Sequence, residues 1–164
     1  TYIVTGSGSG MGAVTASLLE ARGDRVIGVD LRNAAIEADL SVPDGRRAAV
    51  AAASAAADGA VDGVIACAGI AAPIAKTLSV NYFGVTETIT GLLPLLHESA
   101  APRVAVISSM ASLQQNAPEV VEAALRGDEA TALSLATELE QQGPEVGYLI
   151  YPTSKRALSR WVRR

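Results

Sequence analysis

Residues 1–12 read TYIVTGSGSGMG: a short apolar, β-branched run, then glycine at positions 6, 8, 10 and 12. An ordered glycine costs roughly 0.5–1 kcal/mol relative to alanine. Four of them mark a place where something approaches the backbone more closely than a side chain permits. An amphipathic helical pattern follows over residues 10–22 and is closed by Gly23. A glycine turn between a buried strand and a helix presents backbone N–H groups, and the helix N-terminus adds about half a positive charge. Such a turn holds phosphate.

The rest of the chain alternates strand and helix signals. Strands are expected at residues 1–5, 25–30, 36–40, 61–68 and 103–108, and helices at 10–22, 43–57, 76–97, 118–126, 128–142 and 152–164. The helix at 76–97 carries Pro94 near its end, where a kink is expected. Strands that are apolar throughout belong to parallel sheets covered on both faces. The expected fold is α/β, a Rossmann-like doubly wound parallel sheet, over residues 1–164. A helical hairpin is inserted at 112–147. The chain begins inside a strand pattern and stops inside a helical one, so the sheet is expected to lack its C-terminal strands.

Hydrophobic residues make up 49% of the chain and charged residues 18%, enough apolar surface for a core. The net charge of −4 argues against nucleic acid or an anionic membrane as partner. The basic residues Arg156, Arg160, Arg163 and Arg164 read as a solvated face. No apolar run reaches transmembrane length. The single cysteine, Cys67, excludes an internal disulfide and fits a reducing compartment, so a cytoplasmic location is expected. Cys67 reads as a small buried hydrophobe, His97 as an exposed residue, and Trp161, Tyr82 and Phe83 as packing. No metal-ligand set is visible.

The glycine turn in its strand–turn–helix context reads as a dinucleotide site. Asp30 ends the second strand, 18 residues after Gly12. There its carboxylate can accept the ribose hydroxyls of an adenosine and repel a 2′-phosphate, which favours NAD over NADP. Arg32, close by, could offset that repulsion.

The spacing Thr5-Gly6-x-x-x-Gly10-x-Gly12 resembles that of the short-chain dehydrogenase/reductase family. "ADL", with Asp39 and Leu40, is similar to the family's adenine-contacting acid and its neighbour. "ACAG" is similar to its Asn-Asn-Ala-Gly motif, keeping Ala68 and Gly69 but replacing both asparagines with Ala66 and Cys67. "SVNYFG" supplies the helix asparagine as Asn81, "VISSMAS" the strand-end serine as Ser109, and "YPTSK" the Tyr-x-x-x-Lys pair as Tyr151 and Lys155. Within the family, "ADLS", "SVNYFG" and the long segment before the tyrosine resemble the bacterial 3α-hydroxysteroid dehydrogenase/carbonyl reductase group. The resemblance implies an NAD-dependent oxidoreductase that interconverts a secondary alcohol and a ketone. Its cofactor contacts would be Gly6, Ser9, Gly10, Met11, Gly12, Asp30, Arg32, Asp39, Leu40, Ala68, Gly69, Tyr151 and Lys155. The partners expected are a small-molecule alcohol or ketone and further copies of the chain, as a dimer or tetramer.

Tyr151 and Lys155 lie four residues apart at a helix start and so share a face. A phenol of pKa near ~10 is a poor base at neutral pH, and an adjacent ammonium favours the phenolate. Tyr151 can then exchange a proton with an alcohol or carbonyl oxygen. The family implies that Lys155 also holds the nicotinamide ribose, that Ser109 hydrogen-bonds the reacting oxygen, and that Asn81 positions a water. Strand alternation alone does not choose between Ser108 and Ser109. Two other readings remain: a relative that senses nucleotide or acts as a scaffold without turnover, and a sugar-nucleotide epimerase. The epimerase branch needs a glycine where Ser9 stands. Beyond these motifs, the 41 residues between Ser109 and Tyr151 are expected to form a hairpin beside the catalytic helix, masking the face through which family members commonly dimerise.

Overall fold

The computed structural model describes residues Thr1–Arg164, which divide into two compact units. The first comprises Thr1–Ala68 and Gly84–Ile107, and the second Gly69–Phe83 and Ser108–Arg164.

The first unit is a five-stranded sheet in which every pair is parallel, of order β3-β2-β1-β4-β5. The strands are β1 (Tyr2–Thr5), β2 (Val26–Asp30), β3 (Ile36–Glu37), β4 (Gly63–Ala66) and β5 (Arg103–Val106). Ile3, Val4, Val29 and Val64 are fully buried, as β-branched residues in covered strands should be. Helix α1 (Gly10–Ala21) packs on β1 and β2, α2 (Pro43–Ala56) on β2 and β3, and α4 (Val85–His97) on β4 and β5. The strand order reverses at β1. Right-handed crossovers therefore put α1 on one face and α2 with α4 on the other. The glycine turn leaves the sheet at that switch point, beside the aligned ends Thr5, Val29 and Ala66.

Three differences from the sequence reading have physical causes. The third strand is only Ile36–Glu37, because its partners Val29 and Asp30 are the last residues of β2. The expected helix at 76–97 is three pieces: a short α3 (Lys76–Leu78), a π-helical turn (Ser79–Gly84), and α4, with Pro94 inside it. Cys67 is half-buried rather than buried, beside α1 in an apolar groove of about 630 Å³ lined also by Met11, Val14, Ile65 and Ile107. Burial raises its thiol pKa, and Thr15 pulls it slightly back. It is a packing residue, not an activated nucleophile.

The second unit is helical. A 3₁₀ turn (Met110–Leu113) precedes α5 (Pro118–Leu125), α6 (Glu129–Gln141), a short α7 (Pro144–Gly147) and α8 (Ile150–Trp161). Gly127, at φ 75°, turns the chain between α5 and α6. Asp128 then caps α6 by accepting from the Thr131 N–H. Helix α5 packs on both α6 and α8. It is joined to α8 by the ion pair Glu122–Arg160, and Arg164, just past the end of α8, donates to the Leu125 carbonyl (2.8 Å). Two of the four arginines expected on a solvated face are thus engaged with α5. Trp161 is half-exposed and not part of the core. No helix is long and apolar enough to cross a membrane.

Candidate active site

The first unit carries the candidate nucleotide residues. Gly6 leaves β1 at φ 71°, and a Cβ there would lie 2.7 Å from the Ala68 nitrogen. At Gly12 a Cβ would lie 2.1 Å from the Gly6 carbonyl oxygen, so α1 rests directly on the turn. Ser9 precedes the helix with extended backbone and makes no side-chain cap, and the first turn holds no acidic residue. The amides there are left without a side-chain acceptor, as a phosphate-binding helix start requires. Gly10 is left-handed at φ 54°, with no atom within 4 Å of where a Cβ would stand. Met11 is 62% exposed.

Asp30 points back at the same turn. One carboxylate oxygen accepts the Gly8 N–H at 2.9 Å, and the other accepts the Leu31 N–H at 2.6 Å. The carboxylate is fixed beside the glycines while its remaining lone pairs stay available for hydroxyl donors. Arg32 is exposed, and its backbone oxygen crowds Gly8. Asp39 accepts the Ser41 N–H at 2.9 Å, which orders the bend before α2. Leu40 beside it is buried. Sequence reasoning missed Arg46, fully buried on α2. It donates to Glu87 (2.7 Å) and to the Leu40 carbonyl (3.4 Å). Thr5 was also missed: its hydroxyl accepts the Ala68 N–H at 3.1 Å. That bond extends the join of β1 and β4 at the segment where the two family asparagines are replaced.

The second unit brings together the candidate catalytic residues Asn81 and Tyr151 with Lys155, and it also contains Ser109 and Gly69. Tyr151 is half-buried, and Lys155, one helical turn on, is only 6% exposed. The Lys155 ammonium lies 5.9 Å from the centre of the Tyr151 ring, and burial lowers its pKa. Asn81 sits in the π-helical turn, fully buried. Its amide oxygen accepts the Ile70 N–H (2.9 Å), and its nitrogen donates to the Ile70 carbonyl (2.9 Å) and to Ser154 Oγ (3.1 Å). The side chain is thus used up in bracing the loop after β4, and a water-holding role would fall to its backbone.

The adjacent serines part company past the end of β5. Ser108 is exposed and bonds Ser159 of α8 at 2.8 Å. Ser109 is half-buried and caps the 3₁₀ turn, accepting from the Ala111 N–H at 3.1 Å while its own proton stays free to donate. Thr153 and Ser154, the small polar residues inside "YPTSK", are both fully buried. Thr153 accepts the Ala117 N–H (2.9 Å) and donates to the Leu149 carbonyl (2.6 Å), tying the start of α5 to the start of α8. The signal that could have found them is a run of hydroxyl residues inside a helix, where they bond backward to the preceding turn.

A glycine turn thus stands between β1 and α1 with a carboxylate at the end of β2, and later in the chain a helix bears tyrosine and lysine one turn apart. A family model described as short chain dehydrogenase matches residues 1–149, and the chain belongs to that family. The chain is 37% identical over 168 residues to the 3-alpha-hydroxysteroid dehydrogenase/carbonyl reductase of Comamonas testosteroni, covering 99% of this chain and 64% of that protein. The crystal structure of the 3-alpha-hydroxysteroid dehydrogenase from Pseudomonas sp. B-0831, complexed with NADH, superposes with a TM-score of 0.91 at 42% identity, over 99% of this chain and 64% of that one. Salutaridine reductase from Papaver somniferum shares the fold, with a TM-score of 0.73 at 20% identity, over 99% of this chain and 80% of that one. The chain thus spans just under two thirds of the length of the first two relatives. Tyr151 and Lys155 lie past the family match but within the span covered by these relatives.

Proposed function

We propose that this chain carries the nucleotide-binding and proton-transfer machinery of an NAD-dependent oxidoreductase that interconverts a secondary alcohol and a ketone, with a hydroxysteroid or another bulky carbonyl as substrate. The observation that carries the reading is Tyr151 and Lys155 paired on a helix whose start is tied to Asn81, within a chain of this family. The two hydroxysteroid dehydrogenase relatives, at 37% and 42% identity, support the substrate class.

In this reading the glycine turn and the segments after β2 and β4 bind the dinucleotide. Gly6, Gly10 and Gly12 let the pyrophosphate approach the backbone, with Ser9 and Met11 at the helix start. Asp30 and Arg32 stand at the ribose, Asp39 and Leu40 at the adenine, and Ala68 and Gly69 in the loop after β4. NAD, when bound, accepts or donates the hydride. The phenol of Tyr151 moves the proton on the substrate oxygen, and the Lys155 ammonium favours its ionised form. Ser109 donates a hydrogen bond to that oxygen as charge develops on it. Following nicotinamide absorbance in the full-length protein with a panel of 3-hydroxysteroids and carbonyl compounds tests the reading. Absence of turnover on every alcohol and ketone tried, with NAD still bound, would leave a non-catalytic nucleotide binder.

Asp30 sets the cofactor preference. A 2′-phosphate beside its carboxylate meets like charge, so NAD should bind at least about tenfold more tightly than NADP. Titration of both cofactors into the full-length protein measures this. Tighter binding of NADP would reassign Arg32 as a phosphate ligand.

The α5–α6 hairpin supports a further reading of assembly. Because α5 lies on α8 through Thr153 and Arg160, that face of the catalytic helix is already occupied. A homo-oligomer of the full-length protein should therefore use another face. Crosslinking between cysteines introduced at Glu119 in two copies should fail. Efficient crosslinking there would place the dimer on the hairpin.

A further inference from the structure

We infer that Ser154 is a positioning residue for the reaction: its hydroxyl links Asn81 to the backbone of Tyr151 and fixes the point from which the phenol projects. This rests on Tyr151 being the proton-transfer group. Ser154 Oγ accepts from Asn81 Nδ2 at 3.1 Å and donates to the Tyr151 carbonyl at 2.7 Å. Asn81 in turn holds both the N–H and the carbonyl of Ile70, each at 2.9 Å. An unbroken chain of hydrogen bonds thus runs from the loop after β4, through two fully buried side chains, to the backbone of the tyrosine.

The position of Tyr151 explains why such a link matters. It is the second residue of α8, and the first turn of a helix, whose N–H groups lack intrahelical partners, is where the chain frays. Nothing in the local sequence supplies a cap: Leu149 precedes the helix and makes no side-chain bond to it. A hydroxyl three residues on, anchored on its far side by a buried amide, restrains that turn instead. Because the hydroxyl both accepts and donates, neither neighbour can shift without breaking a bond in a site closed to water. Alanine at 154 would remove the second bond to the Tyr151 carbonyl, which keeps its helical partner, and leave one Asn81 amide hydrogen without a partner. No residue of the nucleotide turn takes part, so the loss should fall on the chemical step.

The test is steady-state kinetics of the full-length protein carrying Ser154→Ala and, separately, Ser154→Cys, which keeps the size but donates more weakly. NADH binding is followed by fluorescence. Ser154→Ala should lower kcat at least about tenfold, with the KM for NAD and the NADH affinity within twofold of the parent. Ser154→Cys should fall between the two. Combining Asn81→Ala with Ser154→Ala should give a kcat no lower than Asn81→Ala alone, because the two residues act as one link. A Ser154→Ala kcat within twofold of the parent overturns the inference. So does a kcat loss matched by weakened NADH binding in both variants, which marks a merely structural role, or losses that multiply in the double variant. Tyr151→Phe is measured alongside. If Tyr151→Phe stays active, the acid/base reading itself fails; if it is dead while Ser154→Ala is not, only the role of Ser154 falls.

Discussion

Tyr151→Phe in the full-length protein should lower kcat at least about a thousandfold and leave NADH affinity within about twofold. Phenylalanine keeps the half-buried ring and its packing and removes only the hydroxyl. A thousandfold corresponds to about 4 kcal/mol of barrier, within the range a positioned acid/base supplies. The Lys155 ammonium explains why the effect should be so large. It stands 5.9 Å from the ring centre and is almost fully buried, so its field on the phenol is weakly screened. The same burial lowers its own pKa, so the charge is held in place at a cost in solvation. Lys155→Ala removes that charge and, in the proposed reading, a cofactor contact together, and should harm both kcat and NADH affinity. More than a few per cent of residual activity in Tyr151→Phe would show that another group carries the proton.

The candidate residues of each unit stand out in the sequence by residue type and spacing. Gly6 and Gly12 sit where the backbone admits no side chain, while Asp30 and the Tyr151–Lys155 pair, in an ordinary strand and helix, stand out by residue type and spacing alone. What holds the pair in place was not marked. Thr153 and Ser154 look like indifferent helix residues, and only the fold shows their hydroxyls tied to Ala117, Asn81 and the preceding turn. The π-helical turn at Ser79–Gly84 was hidden for a different reason. Nearly every residue from Thr77 to Thr86 is buried, so no apolar stripe exists from which to read a period. Ser108 and Ser109 could not be separated because the chain leaves β5 at Val106 before reaching them. Arg46 reads as a surface helix cation and is instead fully buried, since Glu87 on α4 and the Leu40 carbonyl lie within its reach. Spacing marks candidates for contact with a ligand; what holds those candidates in place depends on packing.

Gly12→Val should abolish dinucleotide binding in the full-length protein, by at least about a hundredfold in affinity, and destabilise the first unit as well. A Cβ at this position would stand 2.1 Å from the Gly6 carbonyl oxygen, 2.5 Å from its carbon and 3.1 Å from the Ser7 nitrogen, all backbone atoms that no rotamer change can clear. Relief requires α1 to lift from the turn, which moves the uncapped helix amides away from where a phosphate would be held. Gly6 cannot retreat, because its own nitrogen donates to the Val29 carbonyl at 2.8 Å and a Cβ there would already abut Ala68. The strain should therefore appear in binding and in unfolding together. By contrast, Gly10→Ala has open space for its Cβ and carries only the penalty of a left-handed φ of 54°, about 1–2 kcal/mol. It should lower the thermal midpoint of the protein while weakening NADH binding far less than Gly12→Val. Calorimetric titration with NADH, paired with thermal unfolding of both variants, checks the order. Equal loss of affinity in the two would mean that flexibility of the loop, and not close approach of α1 to Gly6, is what the glycines provide.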